Sequence, residues 1–249
     1  LRQEIALIAM AFAAVEVGLF LLIANFLHRV LSAAVASAAL LLALGIWGFY
    51  PYTQAIVLAA FSWAWLNEFS VPGRSAEIRA IGYGLTLLTL AELVTRSSTS
   101  YLRTEWPIHG AMAPIGGPFG FWIGAALVGA ITLWVAWSLL RRQGADPAHG
   151  PGLATLAGAA LVGLISVKAP GLGMTVTMLL LGFANSNRVL AGLGILSLLA
   201  YWSYYYYSLE ITLLQKSGLL IGAGIALIAV RLAARRHWPM PDDKGAGHA

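Results

Sequence analysis

Cysteine is absent from the 249 residues, which excludes a disulfide framework, a thiolate metal site and a cysteine nucleophile. Charge is scarce too: Asp, Glu, Lys and Arg fill 10% of positions, against roughly 25% in a soluble domain. Polar alternation of the kind a transmembrane β-barrel needs is also missing, since runs such as "LSAAVASAALLLALGIWGF" are apolar on every face. There is no GxxxxGK[ST] loop and no strand-led GxGxxG, so nucleotide binding has no support.

What the chain has instead is apolar sequence, 59% of all positions, in runs near the ~20 residues that cross a ~30 Å hydrocarbon core. A soluble fold of this size could not hide so much apolar surface, so the expected class is an all-α polytopic transmembrane helical bundle. The runs predict about nine spans, within a range of eight to ten. They cover Ile5 to Leu27, Val30 to Phe49, Tyr52 to Leu66, Glu77 to Val94, Phe119 to Leu140, Leu153 to Val167, Leu172 to Ala184, Val189 to Tyr206 and Leu213 to Leu232. The sixth and seventh are joined by "VKAPGLG", where Pro170, Gly171 and Gly173 interrupt the helix and form a candidate hinge or re-entrant turn. Residues 1–236 then form one membrane domain and 237–249 a solvated tail. The first residue is Leu1 rather than methionine, from which an N-terminal truncation is expected, and the run from Ile5 is too long for a signal peptide.

The net charge of +5 is dispersed one or two residues at a time at the ends of apolar runs, so it reads as topology and not as a nucleic-acid surface. With nine spans, Arg29, Arg74, Arg79, Arg141, Arg142, Arg188, Arg231, Arg235, Arg236 and Lys244 share one side. Arg2, Arg96, Arg103, Lys168 and Lys216 share the other, which makes the first side, and the C-terminus, cytoplasmic. An internal echo supports a parallel repeat of a helical hairpin: "ANFLHRVL" and "ANSNRVL" each join two apolar runs, with Arg29 and Arg188 in register.

Few residues could carry chemistry. Glu16 in "FAAVEVGLF" and Glu92 in "LTLAELVT" are candidate intramembrane acids, because a lipid-facing carboxylate would cost about 2.5 kcal/mol or more. Each must face the bundle, a partner or a wet cavity, or be protonated, either to move a proton or cation or to fix helix packing. Tyr205, Tyr206, Tyr207, Glu210 and Lys216 form a candidate outer-turn site, set against the ordinary use of Tyr and Trp as an interfacial belt. Glu68, Arg74, Glu77 and Arg79 read as solvated loop charges. Glu105 and His109, alone in their loop, lack the partners that a metal or a nucleophile requires, so no metal and no cofactor are expected. Gly and Ala in "GLGILSLLAYWS" and "GLLIGAGIALIA" suit close helix contacts, within one chain or between subunits.

The stretch Leu179 to Leu232 resembles a bacterial membrane family known as domain of unknown function forty-four-oh-one, whose members are often encoded beside GDYXXLXY-type proteins. The likeness is carried by Gly182, Phe183, Asn187, Arg188, Leu190, Gly192 and Leu193, then Tyr205 to Tyr207, Leu209, Thr212 to Leu214, Lys216 and Ser217. The resemblance implies a bacterial inner-membrane protein and no nameable activity. The expectation is a non-enzymatic structural or assembly component that binds the lipid bilayer and other membrane proteins, binds no nucleic acid and is able to form oligomers. The alternative is a small-solute or proton-coupled transporter, built on Glu16 and the break at Pro170.

Overall fold

The computed structural model describes residues 2–68, 73–102, 115–144, 150–167 and 169–208, with six further positions at 217, 218, 221, 224, 225 and 228. The chain groups into two compact units, Leu1–Trp202 and Ser203–Ala249. Its described residues are mainly helical, without a strand: α1 Arg2–Leu22, α2 Phe26–Leu44, α3 Thr53–Leu66, α4 Ser75–Leu102, α5 Gly117–Arg142, α6 Pro151–Ser166, α7 Pro170–Ala184 and α8 Arg188–Ser208.

The helix boundaries fall where local chemistry puts them. Asn25 stops the first apolar run and caps α2, its Oδ1 accepting from the backbone N–H of Leu27 (2.9 Å) and of His28 (3.3 Å). Proline stands in the first turn of α5, α6 and α7, where its missing N–H costs nothing. Between α2 and α3 the chain makes a π-helical turn at Gly45–Phe49 and a 3-10 turn at Tyr50–Tyr52. Gly48 takes φ +89° there, a left-handed conformation that a side chain would strain. The chain reverses at this point. Gly82 on α4 abuts Trp65 near the end of α3, and Gly84, also on α4, abuts Val30 and Ala33 near the start of α2. The start of α2 and the end of α3 therefore lie beside the same part of α4.

Three helical stretches among the described residues are long and apolar enough to cross a membrane: Gln3–Leu22, Phe26–Leu66 with its break at Gly48, and Phe119–Arg142. The expectation of nine spans is corrected accordingly. The apolar helices Gly152–Ser166, Gly171–Ala184 and Arg188–Tyr204 are shorter. The expected fourth span lies in α4, which carries Glu77, Arg79, Glu92 and Arg96 along its length. The expected ninth span falls largely outside the described residues, as does the tail after 236.

Within Leu1–Trp202, α3 is the central element. Leu58, Phe61 and Trp65 are fully buried, packed with Val128 and Val135 of α5, Met174, Met178 and Leu181 of α7, and Leu190. Close packing and hydrogen bonds join these helices. Glycine supplies the close packing. A Cβ on Gly129 would stand 3.1 Å from Gly163 Cα, so α5 and α6 meet backbone to backbone, and a Cβ on Gly84 would stand 2.7 Å from Ala33 Cβ.

Buried hydroxyls are satisfied mostly within their own helices. Thr86 donates to Gly82 O (2.7 Å), Thr89 to Leu85 O (2.8 Å), Thr132 to Val128 O (3.0 Å) and Ser166 to Val162 O (2.7 Å). Thr132 and Thr177 share a further hydrogen bond of 3.1 Å between α5 and α7. Among the described residues Ser62 Oγ and Trp65 Nε1 are buried without a hydrogen-bond partner.

Candidate functional site

The richest polar cluster lies where α3 ends, α4 begins and α7 turns into α8. Asn67 closes α3 by donating its side-chain N–H to Trp63 O at 2.8 Å. Glu68 follows, and instead of entering solvent it is only 3% exposed. Arg79, one turn into α4, donates its Nε–H to Glu68 Oε1 at 2.8 Å. From the other side Asn185 donates its Nδ2–H to Trp65 O at 2.8 Å and, more weakly, to Glu68 Oε2 at 3.4 Å. The buried carboxylate thus has a charged partner and an amide partner, as burial of a charge demands.

A second branch joins the same elements. Asn187 Nδ2 donates to Tyr83 Oη at 3.0 Å, while its Oδ1 accepts from Leu190 N–H at 3.1 Å and so caps α8. Between the two asparagines Ser186 takes φ +51°, rare for a residue with a side chain, and this tight turn brings both amides back onto the bundle. The Tyr83 ring meets Trp65 and Phe26 edge to face, at 5.1 and 6.2 Å between centroids. Beyond it Arg29 pairs with Glu77 at 3.6 Å, donates Nε–H to Ile23 O at 3.2 Å, and lies over the Phe20 ring.

The turns α1–α2, α3–α4 and α7–α8 thus close at one end, which also holds Arg29, Arg79 and Arg188. The C-terminus of α5 joins them, since Leu139, Leu140 and Gln143 share an open groove with Phe183 and Ala184 of α7. The two turns of the sequence echo, α1–α2 and α7–α8, are joined through Phe26, Tyr83 and Asn187. Their caps are out of register, however: Asn25 precedes Arg29 by four residues, whereas Asn187 precedes Arg188 directly. Chemically the cluster is a charge-neutralised lock between helices, and no group of three or more His, Asp or Glu that could hold a metal occurs among the described residues.

The acids singled out in the sequence lie elsewhere. Glu16 falls in the stripe Ala6, Ala9, Ala13, Glu16, Phe20 along one face of α1. Ala6 and Ala9 pack on Ala43 and Ile46, while Phe20 packs on Val30 and Ala80, so Glu16 sits between two contact clusters on the seam with α2. It is half-buried and makes no ion pair or hydrogen bond with the described residues. Glu92 is half-buried and engaged on α4, about 26 Å along that helix from its start, whereas Glu16 lies about 9 Å from the end of α1. The two acids are not brought together.

The break at Pro170 is present, and it is tightly packed. A Cβ on Gly171 would strike the Tyr201 ring and Leu93, and one on Gly173 would stand 2.8 Å from Ser166 Oγ. Tyr205 lies on α8, and the Tyr206 and Tyr207 rings meet edge to face at 5.6 Å, with Tyr207 exposed. Glu210 and Lys216 lie outside the described residues.

Sequence reasoning did not find Trp65, Tyr83 and Asn185, and it read Glu68 as solvated. The one signal for them was the pair of asparagines in "FANSNRV", noticed only as a turn.

These features define an all-α helical bundle with apolar stretches long enough to cross a membrane and a polar lock at one end. The chain belongs to the family described as Domain of unknown function (DUF4401), whose family model matches residues 1–237. No curated protein and no solved structure matches it.

Proposed function

We propose that this chain is a multipass protein of the bacterial inner membrane that acts as a non-enzymatic structural or assembly component for other membrane proteins. The observation that carries the reading is the bareness of α1. Within its 18-residue apolar core, Gln3–Leu22 is only 11% buried in the molecule, against 50% for the corresponding part of Phe26–Leu66 and 39% for that of Phe119–Arg142. Leu7, Ile8, Phe12, Val15, Val17 and Leu21 are all exposed, and α1 packs chiefly on α2. A helix held chiefly by one neighbour is an edge open to further helices. The arginine-rich end faces the cytoplasm in this reading, by the excess of Arg beside its helix ends.

The transporter alternative needs Glu16 and the break at Pro170 to share one path. Glu16 sits on the α1–α2 seam, whereas the break packs against Leu93, Val128, Ser166 and Tyr201. Nothing in that arrangement favours transport.

The test is gentle purification of tagged protein from native membranes, followed by mass spectrometry of what stays bound in stoichiometric amount. A membrane protein retained by the wild type and released by Phe12→Lys is the expected result. A lone protein carrying only lipid, together with solute flux when reconstituted, would overturn the proposal in favour of transport.

A further inference from the structure

Resting on the assembly reading above, we infer that Glu16 is the polar anchor of an interface on α1, and that its partner is a transmembrane helix of another protein bearing a basic side chain at the same depth. Glu16 is the one ionisable residue between Ile5 and Leu27, and it lies about two turns inside the end of α1. Its neighbours on the α2-facing stripe are alanine and phenylalanine. His28 and Arg29, the nearest basic residues in sequence, are already engaged, His28 with Ser32 and Arg29 with Glu77, Ile23 O and the Phe20 ring. Glu16 therefore has no internal counter-charge among the described residues, and it is only half-buried. In hydrocarbon such a group needs a hydrogen-bond or charge partner.

Charge complementarity chooses between occupants. A second copy of this chain packing through α1 would bring Glu16 against Glu16, because Ile5 to Leu22 contains no Lys, Arg, His, Ser or Thr. Two carboxylates at one site oppose each other's ionisation, whereas a Lys, Arg or His supplies both donor and counter-charge. The flanking Phe12 and Val15 are exposed beside Glu16 and offer apolar packing for the rest of the partner helix.

The interface can be tested without knowing the native partner. The full chain is labelled at one end, reconstituted in phosphatidylcholine vesicles, and energy transfer is measured to a synthetic 21-residue Leu/Ala helix with one Lys two turns from its end, or to the same helix without Lys. Flotation with the vesicles and helical circular dichroism establish insertion first. Failure at that step would count against the membrane reading itself.

With insertion established, the Lys helix is expected to associate about tenfold more tightly than its all-apolar counterpart, with the preference lost in Glu16→Leu and largely kept in Glu16→Asp. Equal association of the two helices, or a preference that survives Glu16→Leu, would overturn the inference. So would energy transfer between labelled copies that Glu16→Leu abolishes, since the occupant would then be a second copy.

Discussion

Removing Arg79 is the sharpest test of the lock at the arginine-rich end. Glu68 is 3% exposed and Arg79 is its charged partner at 2.8 Å, while Asn185 approaches only at 3.4 Å. Breaking a buried pair by deleting one member costs about 3–5 kcal/mol, because the remaining charge stays buried. The Arg79 side chain is 47% exposed, so water screens part of the pair and the lower end of that range, about 3 kcal/mol, applies to Arg79→Met. For a chain of this size that is a fall in Tm of about 6–12 °C, read by circular dichroism in mild detergent.

The double variant Glu68→Gln with Arg79→Met isolates the cause. The introduced glutamine keeps an acceptor for Asn185 and removes the stranded charge, so the double variant should recover more than half of the loss. If it unfolds as readily as Arg79→Met alone, the stranded carboxylate is not the source of the cost. The assignment of Glu68 as a buried charge would then be wrong.

The other expectations are more local. Gly84→Val should destabilise by about 2–3 kcal/mol in the same melts, since its side chain would enter the space held by Ala33 and Val30, whereas Gly158→Ala, with open space around it, should be neutral or gain about 0.5–1 kcal/mol. Tyr83→Phe should cost about 1 kcal/mol by breaking the bond to Asn187, and an unchanged Tm would show that this bond is not formed. Thr132→Val should cost only about 0.6 kcal/mol, because Thr132 and Thr177 are the sole members of their interhelical bond and such bonds in membranes are weak. A cysteine placed at Ala76, exposed at the start of α4, should react with an impermeant maleimide only in inside-out vesicles. Labelling in intact cells would reverse the proposed orientation.

Most of the helix boundaries could be read from the sequence because their causes are local. Asn25, Pro51, Pro151, Pro170 and Asn187 each stop or start a helix through their own backbone or side-chain chemistry. The number of spans could not be read in the same way. Apolar composition measures what a segment would tolerate around it, and α6 and α7, at 16 and 15 residues, are as apolar as a span while shorter than one.

The lock was illegible for a different reason. Glu68 has charged residues close by at Arg74 and Glu77, which makes it look like a solvated loop residue. One of its partners is Asn185, 117 positions away, and no local pattern announces that contact. Glu16 shows the converse, since its apolar surroundings flagged it at once, but only the packing of α1 on α2 showed which face it occupies.

The long reach of Asn185 also bears on how the molecule is made. Trp65 and Glu68 leave the ribosome 120 and 117 residues before the side chain that holds them. At about 5–20 residues per second, some 6–24 s of synthesis separate the central helix from its last clasp. During that interval α3 exists with its terminal carbonyl and carboxylate incompletely partnered. A nascent chain halted before the α7–α8 turn would remain in this open condition.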